Sequence, residues 1–264
     1  MQLLCPLCGK PLQMLERSCV CENRHSFDKA RQGYIHLLPV QNKRSLNPGD
    51  TTEQVLARRE FLEGGFYRPI LDTLYDMAKG YPGPILDVGC GEGYYSAALA
   101  ERTGHSLTGL DISKEAVRRA AGKYKNALWL CASAARLPVC DESVGILTSL
   151  FALTIPEEFH RVLKQEGAFL QVLAAEDHLM GLKSIIYPQL THKEKDSIPQ
   201  LEGFLLQKSR PVKFTFTVTG QQVQNLLYMT PHLYRISKEG LQRLQNTQSL
   251  TDTASCVINL YTKA

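Results

Sequence analysis

The stretch Ile85-Leu86-Asp87-Val88-Gly89-Cys90-Gly91-Glu92-Gly93-Tyr94-Tyr95 decides the fold. Its first four residues, apolar but for one aspartate, read as a buried strand. The three glycines that follow allow a sharp turn and let a ligand approach where a Cβ would clash. A helical pattern then begins at Tyr94. Dinucleotide folds space their glycines as Gly-x-Gly-x-x-Gly, to cradle a pyrophosphate at the helix N-terminus. Here Tyr94 stands where that third glycine belongs, and Gly93 comes one residue early. The spacing therefore does not meet the dinucleotide fingerprint.

Working outward, short apolar runs alternate with helical segments. Strands are predicted at 85–88, 107–110, 127–131, 144–150 and 168–173, with helices at 94–102, 114–124 and 157–163. This alternation predicts an α/β fold, a Rossmann-like doubly wound sheet with right-handed crossovers. Later segments 212–218 and 255–261 read as further strands, and 221–228 and 238–244 as helices. Upstream, Thr51 or Thr52 caps a helix ended by Gly64-Gly65, and a second helix covers 69–79.

The second strand ends in Leu110-Asp111-Ile112. An acid there can accept hydrogen bonds from both hydroxyls of a ribose. Gly-x-Gly-x-Gly behind an acidic strand end, with Asp111 downstream, resembles the S-adenosyl-L-methionine motif of class I methyltransferases. The likeness implies a cofactor seat at Asp87, Gly89, Gly91, Gly93 and Asp111. The bland alternative is a Rossmann-like domain with tight turns and no cofactor.

Composition agrees with a globular protein. Of 264 residues 44% are hydrophobic and 21% charged, which excludes disordered and low-complexity classes. No apolar run reaches the roughly 20 residues that a membrane span needs. Cysteines at positions 5 and 8 leave no room for the apolar core of a secretory signal, so a cytoplasmic protein with no membrane partner is expected. In that compartment the cluster of Cys5, Cys8, Cys19 and Cys21 favours metal over disulfides. Cys5-x2-Cys8-x12-Cys21-x3-His25 supplies three thiolates and an imidazole, the donor set of one closed structural zinc site per chain. Cys19 competes with Cys21 for that role and is read as packing.

Beyond these motifs, the chain resembles the bacterial 23S rRNA guanine-N1 methyltransferases. The likeness rests on Cys5, Cys8, Cys21 and His25, on Gly33-Tyr34-Ile35-His36-Leu37-Leu38-Pro39-Val40-Gln41 and on Lys43-Arg44-Ser45. It continues through Pro48-Gly49-Asp50, Ala57-Arg58-Arg59, Phe61-Leu62-Glu63-Gly64-Gly65-Phe66-Tyr67 and the glycine turn. His178-Leu179-Met180, Leu201-Glu202-Gly203-Phe204 and Met229-Thr230-Pro231 extend it. The resemblance implies cofactor contacts at Tyr67, Gly91, Glu92 and His178, a zinc module that helps recognise a 23S rRNA hairpin, and a homodimer. It also implies the division 1–36 zinc-binding RNA-recognition module, 37–80 helical connector, 81–264 methyltransferase domain. The sequence departs from the family at Phe151-Ala152-Leu153, at Lys164-Gln165-Glu166-Gly167 and at Gly145, all near the expected entry of a target base.

The implied reaction is methylation of a guanine ring nitrogen, and its general base is not evident in the sequence. There is no Asn/Asp-Pro-Pro-aromatic motif for an exocyclic amine and no Pro-Cys for a pyrimidine adduct after the fourth strand. Residues 1–68 carry ten Lys/Arg against seven Asp/Glu. Lys10, Arg17, Arg24, Lys29 and Arg31 decorate the zinc module, and Lys43, Arg44, Arg58 and Arg59 follow. Some of these can meet phosphates while Phe27 or Tyr34 stacks on a base. Two alternatives stay open: a methyltransferase of a small metabolite, and a non-catalytic RNA-binding protein that keeps the fold.

Overall fold

Two sheets organise the chain, seen here in a computed structural model that describes residues 1–39, 41, 45, 48–190 and 196–264. The smaller is an antiparallel meander of β1 (Leu12–Met14), β2 (Ser18–Cys21) and β3 (Ser26–Asp28). The larger contains β4 (Ile35–His36), β5 (Ile85–Val88), β6 (Leu107–Asp111), β7 (Leu128–Cys131), β8 (Val144–Leu150), β9 (Leu163–Ala174), β10 (Phe204–Thr219) and β11 (Ser249–Lys263). Across the sheet they run β10-β11-β9-β8-β5-β6-β7-β4. All pairs from β4 to β9 are parallel, and β9, β11 and β10 pair antiparallel.

Helices cover both faces: α1 (Thr52–Glu63), α2 (Arg68–Ala78), α3 (Tyr94–Thr103), α4 (Lys114–Lys123), α5 (Pro156–Val162), α6 (Met180–Ile186), α7 (Gln221–Tyr228) and α8 (Lys238–Gln245). The central strand β5 is buried along its whole length, as a parallel strand between two helical layers must be. Its pleat sends Ile85 into one apolar cluster with Leu74, Leu99 and Trp129, and Leu86 into another with Leu130 and Phe159. The helix α1 begins with a capping box: Thr51 Oγ1 accepts the Gln54 N–H at 3.3 Å, and Gln54 Oε1 accepts the Thr51 N–H at 3.0 Å.

The structure departs from the local pattern in four places. The strand β9 runs straight out of α5 and takes Lys164 to Gly167 into itself, with a register shift opposite Val144 and Ile146. Close backbone packing explains Gly145 there, since a Cβ on it would lie 2.2 Å from the Pro82 carbonyl oxygen. The last two strands are 16 and 15 residues long because they pair with each other from end to end. The two-residue β4 exists through its pairing with β7. Finally, α6 has no local cap. Asp252 on β11 reaches across 71 residues to accept the N–H of Gly181 at 2.9 Å, and also accepts that of Leu182 at 2.7 Å.

The small sheet docks on the large one. Leu3 bridges Val139, Leu4 N–H donates to the Pro138 carbonyl at 2.9 Å, and Leu3, Leu12 and Cys19 pack with Leu37 and Leu137. This places the cysteine module beside the loop that follows β7. Among the described residues no helix is long and apolar enough to cross a membrane.

Candidate active site and zinc centre

The donor atoms of Cys5, Cys8, Cys21 and His25 all lie within 4.8 Å of one another. Cys5 Sγ and Cys21 Sγ each stand 3.5 Å from His25 Nδ1, and Cys8 Sγ stands 3.6 Å from Cys21 Sγ. Sulfurs held about 2.3 Å from one zinc ion at tetrahedral corners lie about 3.7 Å apart, so the four donors fit that ion. Tight turns bring each pair together: Gly9 N–H donates to the Cys5 carbonyl at 2.8 Å, and Arg24 N–H to the Cys21 carbonyl at 2.9 Å. These four residues are the zinc site. All four corners are filled by protein, which makes the metal structural. Cys19 is fully buried and outside the cluster, and burial pushes its thiol up to about 11. It packs as an apolar side chain, as its place in the sequence suggests.

The glycine turn lies at the carboxyl end of β5, with Gly89, Gly91 and Gly93 at φ of +80°, +55° and +86°. The three serve different ends. A Cβ on Gly89 would lie 2.5 Å from the Ala152 Cβ, and one on Gly93 would lie 2.5 Å from the Trp129 ring. A Cβ on Gly91 would meet nothing within 4 Å. Two glycines thus let neighbours close in, and the third faces open space.

That space is a cavity of about 1360 Å³, lined by Tyr67, Asp87, Gly89, Gly91, Glu92, Asp111 and His178. Seven of the eight residues expected at the cofactor seat share it. Gly93 sits behind the lining, against Trp129. Asp87 is buried and accepts the Thr148 hydroxyl at 2.7 Å, and its burial pushes the carboxyl up to about 6 despite that bond. Asp111 accepts the Gly91 N–H at 2.9 Å and the Ser113 N–H at 2.8 Å, so one carboxylate braces the turn. Burial raises its pKa, with those two donors acting in the opposite direction. Glu92 is 3% exposed, its Oε1 has no hydrogen-bond partner among the described residues, and burial raises its pKa.

The opposite wall is built at long range. Tyr67, at the start of α2, lies in a cage of Phe61, Phe214 and Phe216, and burial raises its phenol. Its hydroxyl is 3.4 Å from Nε2 of His178, whose Nδ1 lies 2.9 Å from the Ser255 carbonyl. Phe151 and Leu179 flank His178 in left-handed backbone, at φ of +53° and +56°. From α1 come Gln54 and Arg58, and Arg58 pairs with Asp50. Sequence reasoning missed Gln54 as a wall residue; it placed Phe151 only as a departure near the entry of a target base, and Leu179 only within the matching stretch His178-Leu179-Met180. Only their left-handed backbone singles out the last two, and residue type does not reveal it. Tyr34, considered above as a stacking surface, is buried in the core at 5% exposure and presents no face to a base. Lys43 and Arg44 lie outside the described residues.

A glycine turn at the mouth of a mixed sheet, an acid closing the next strand and a docked zinc ribbon define the class. This is a methyltransferase of the class I, S-adenosylmethionine-dependent fold with a zinc ribbon at its N-terminus. Residues 85–167 match the methyltransferase-domain family, and residues 3–46 match the RlmA N-terminal zinc ribbon. The chain is 30% identical over 261 residues to a candidate 23S rRNA (guanine-N1)-methyltransferase of Bacillus subtilis, covering 93% of this chain and 91% of that one. It is 37% identical over 188 residues to the 23S rRNA (guanine(748)-N1)-methyltransferase of Streptomyces fradiae, covering 68% of this chain and 66% of that one. The solved structure of a candidate type II methyltransferase from Anaeromyxobacter dehalogenans shares the fold, with a TM-score of 0.50 at 18% identity, over 71% of this chain and 94% of that one. The chain belongs to the family of 23S rRNA (guanine-N1)-methyltransferases with an N-terminal zinc ribbon.

Proposed function

We propose that the protein transfers a methyl group from S-adenosylmethionine to N1 of a guanine in a 23S rRNA hairpin. One observation carries this reading beyond family membership. Pro6 of the zinc ribbon and the turn from Gly89 to Glu92 face the same cavity. A module suited to RNA therefore opens directly onto the seat of the methyl donor. The cavity exceeds the roughly 300–1,000 Å³ of an ordinary ligand pocket, leaving room for a base beside the cofactor.

In this reading Tyr67, Asp87, Gly89, Gly91, Glu92, Gly93, Asp111 and His178 make the cofactor seat. Asp111 already accepts two backbone N–H groups, one on each oxygen, and both oxygens keep capacity for ribose hydroxyls. The unmatched Glu92 Oε1 is a buried acceptor that a donor on the cofactor would satisfy. Asp87 holds the strand end in place through Thr148. When bound, the cofactor supplies an electrophilic methyl on a sulfonium. The residues of the cavity align the acceptor and exclude water. Bound there, the cofactor would supply its methyl to the guanine N1 and leave as S-adenosylhomocysteine, and the N1 proton would pass to solvent water. The target base must leave its stack to enter.

The family resemblance supports the finer points: residues 1–36 meet RNA, 37–80 connect, 81–264 carry the methyl transfer, and the molecule acts as a homodimer in the cytoplasm. Incubation with labelled cofactor and either stripped ribosomal RNA or a metabolite pool tests the reading. Label is expected in the 23S RNA. Label confined to small molecules would favour the metabolite alternative.

A further inference from the structure

One wall of the active cavity carries a row of three rings. Tyr67 and His178 stand with centroids 6.2 Å apart, and Phe151 continues the row, 6.0 Å from His178 and tilted at 37° to it. The row runs from the core outward. Tyr67 is 2% exposed, whereas Phe151 is 42% exposed, and Leu153 on the same loop is 71% exposed. All four residues line the cavity.

The loop that carries Phe151 is pinned. The Phe151 N–H donates to the Val172 carbonyl at 2.9 Å, and Ser149 Oγ donates to the Leu153 carbonyl at 3.4 Å. Between them Ala152 packs on the glycine turn, so closely that a Cβ on Gly89 would lie 2.5 Å from its own. Left-handed backbone, here at φ of +53°, is rare in a bulky residue and persists only where its surroundings hold it. The fold thus fixes this ring without burying it. Tyr234, also exposed on the cavity, is tied through its hydroxyl to Gln54 at 2.8 Å and belongs to the α1 wall.

Position narrows what the ring can meet. The strand β5 lies between β8 and β6, where the order of the sheet reverses, and open α/β sheets bind their ligands at such a point. Asp111, the acid suited to a ribose, closes β6. Phe151 follows β8, two strand spacings away, or about 10 Å. The glycine turn lies between the two. A cofactor sugar at Asp111 leaves the Phe151 side of the cavity to the acceptor.

We propose that Phe151 is the face on which the acceptor base stacks once it has left its helix, which sets the ring nitrogen beside the methyl donor. The inference rests on the rRNA reading above. An open aromatic face suits a nucleobase, which gains by stacking on it, and Leu153 adds apolar surface at the same lip.

Three variants test it. Phe151→Gly removes the ring at a backbone that glycine adopts freely, Phe151→Leu keeps apolar bulk without a π-face, and Phe151→Trp keeps a ring. Each is compared with wild type in single-turnover methyl transfer from labelled S-adenosylmethionine to unmodified 23S rRNA at saturating RNA. Affinity for S-adenosylhomocysteine and the urea midpoint are measured in parallel. Phe151→Gly and Phe151→Leu are expected to slow transfer by about ten- to a hundredfold, the loss of one base–aromatic stack, and Phe151→Trp by no more than about threefold. Cofactor-product affinity should hardly change in any of them. The urea midpoint of Phe151→Gly should stay close to wild type, because relief of the left-handed backbone offsets the lost packing. Transfer at the wild-type rate by Phe151→Gly, or rescue by Phe151→Leu as complete as by Phe151→Trp, overturns the proposal. So does a loss of S-adenosylhomocysteine affinity in step with the rate, which would put the ring in the cofactor seat. Failure of the rRNA reading itself shows in the wild type, which would then put no label into RNA.

Discussion

Gly91 and Gly93 stand two residues apart, and substitutions at them have different consequences. Each has a left-handed backbone that costs any other residue about 1–2 kcal/mol. The space around Gly91 is open, whereas a Cβ on Gly93 collides with Trp129. Gly91→Trp should therefore keep a folded, zinc-loaded protein and lose cofactor affinity by more than a hundredfold. Gly93→Ala should be less stable than Gly91→Trp, down from wild type by about 2–4 kcal/mol in urea melts. Calorimetry with S-adenosylhomocysteine and denaturation together decide the matter, and tight binding by Gly91→Trp would contradict the placement of the cofactor.

Asp87 carries a prediction in pH. Its carboxyl is raised by burial to about 6, above its ordinary value of 3.8. Between those values the folded protein holds a proton that the unfolded chain has released. Stability from this group is therefore complete below about pH 4 and is lost as pH rises through 6. The full swing is about 3 kcal/mol, at about 1.4 kcal/mol per unit. Asn at this position keeps an acceptor for Thr148 and cannot ionise. Urea melts of wild type and Asp87→Asn from pH 4 to 7 should thus diverge, with the wild type falling behind as pH rises. A constant gap between them would contradict the assignment.

At the scale of elements, the zinc ribbon and the glycine turn owe their form to residues close in sequence, and both were legible there. Cys5, Cys8, Cys21 and His25 are joined by two tight turns, and the path from β5 to α3 is one strand, three glycines and a helix. Other elements depend on distant partners and left no local trace. The helix α6 is capped from β11, and β4 is a strand only because β7 lies beside it. The active cavity divides the same way. Asp87 and Asp111 stand at strand ends that periodicity reveals, whereas Tyr67 and His178 meet across 111 residues and came into view only through family likeness. Gly145 looked like a departure in the substrate region, and the fold assigns it to backbone packing against Pro82. For the ribbon, Cys21→Ser should lose zinc and Cys19→Ser should retain one equivalent with a modest loss of stability. Atomic absorption settles this, and full metal retention in Cys21→Ser would refute the ligand set.

At the scale of the whole molecule, the fold sets a zinc ribbon against the edge of a methyltransferase sheet, so that both border one cavity. This arrangement explains why a structural metal and a methyl donor belong to one chain. In the proposed reading the metal fixes a surface for RNA, and the sheet presents the donor beside it. The most direct measurement of this claim locates the methyl group. Wild-type protein is incubated with labelled cofactor and unmodified 23S rRNA, and the RNA is read by primer extension and nucleoside analysis. The account predicts a stop at a single guanine, with all label recovered as N1-methylguanosine. Label on another atom or another base, or unlabelled RNA while the cofactor stays bound, contradicts it.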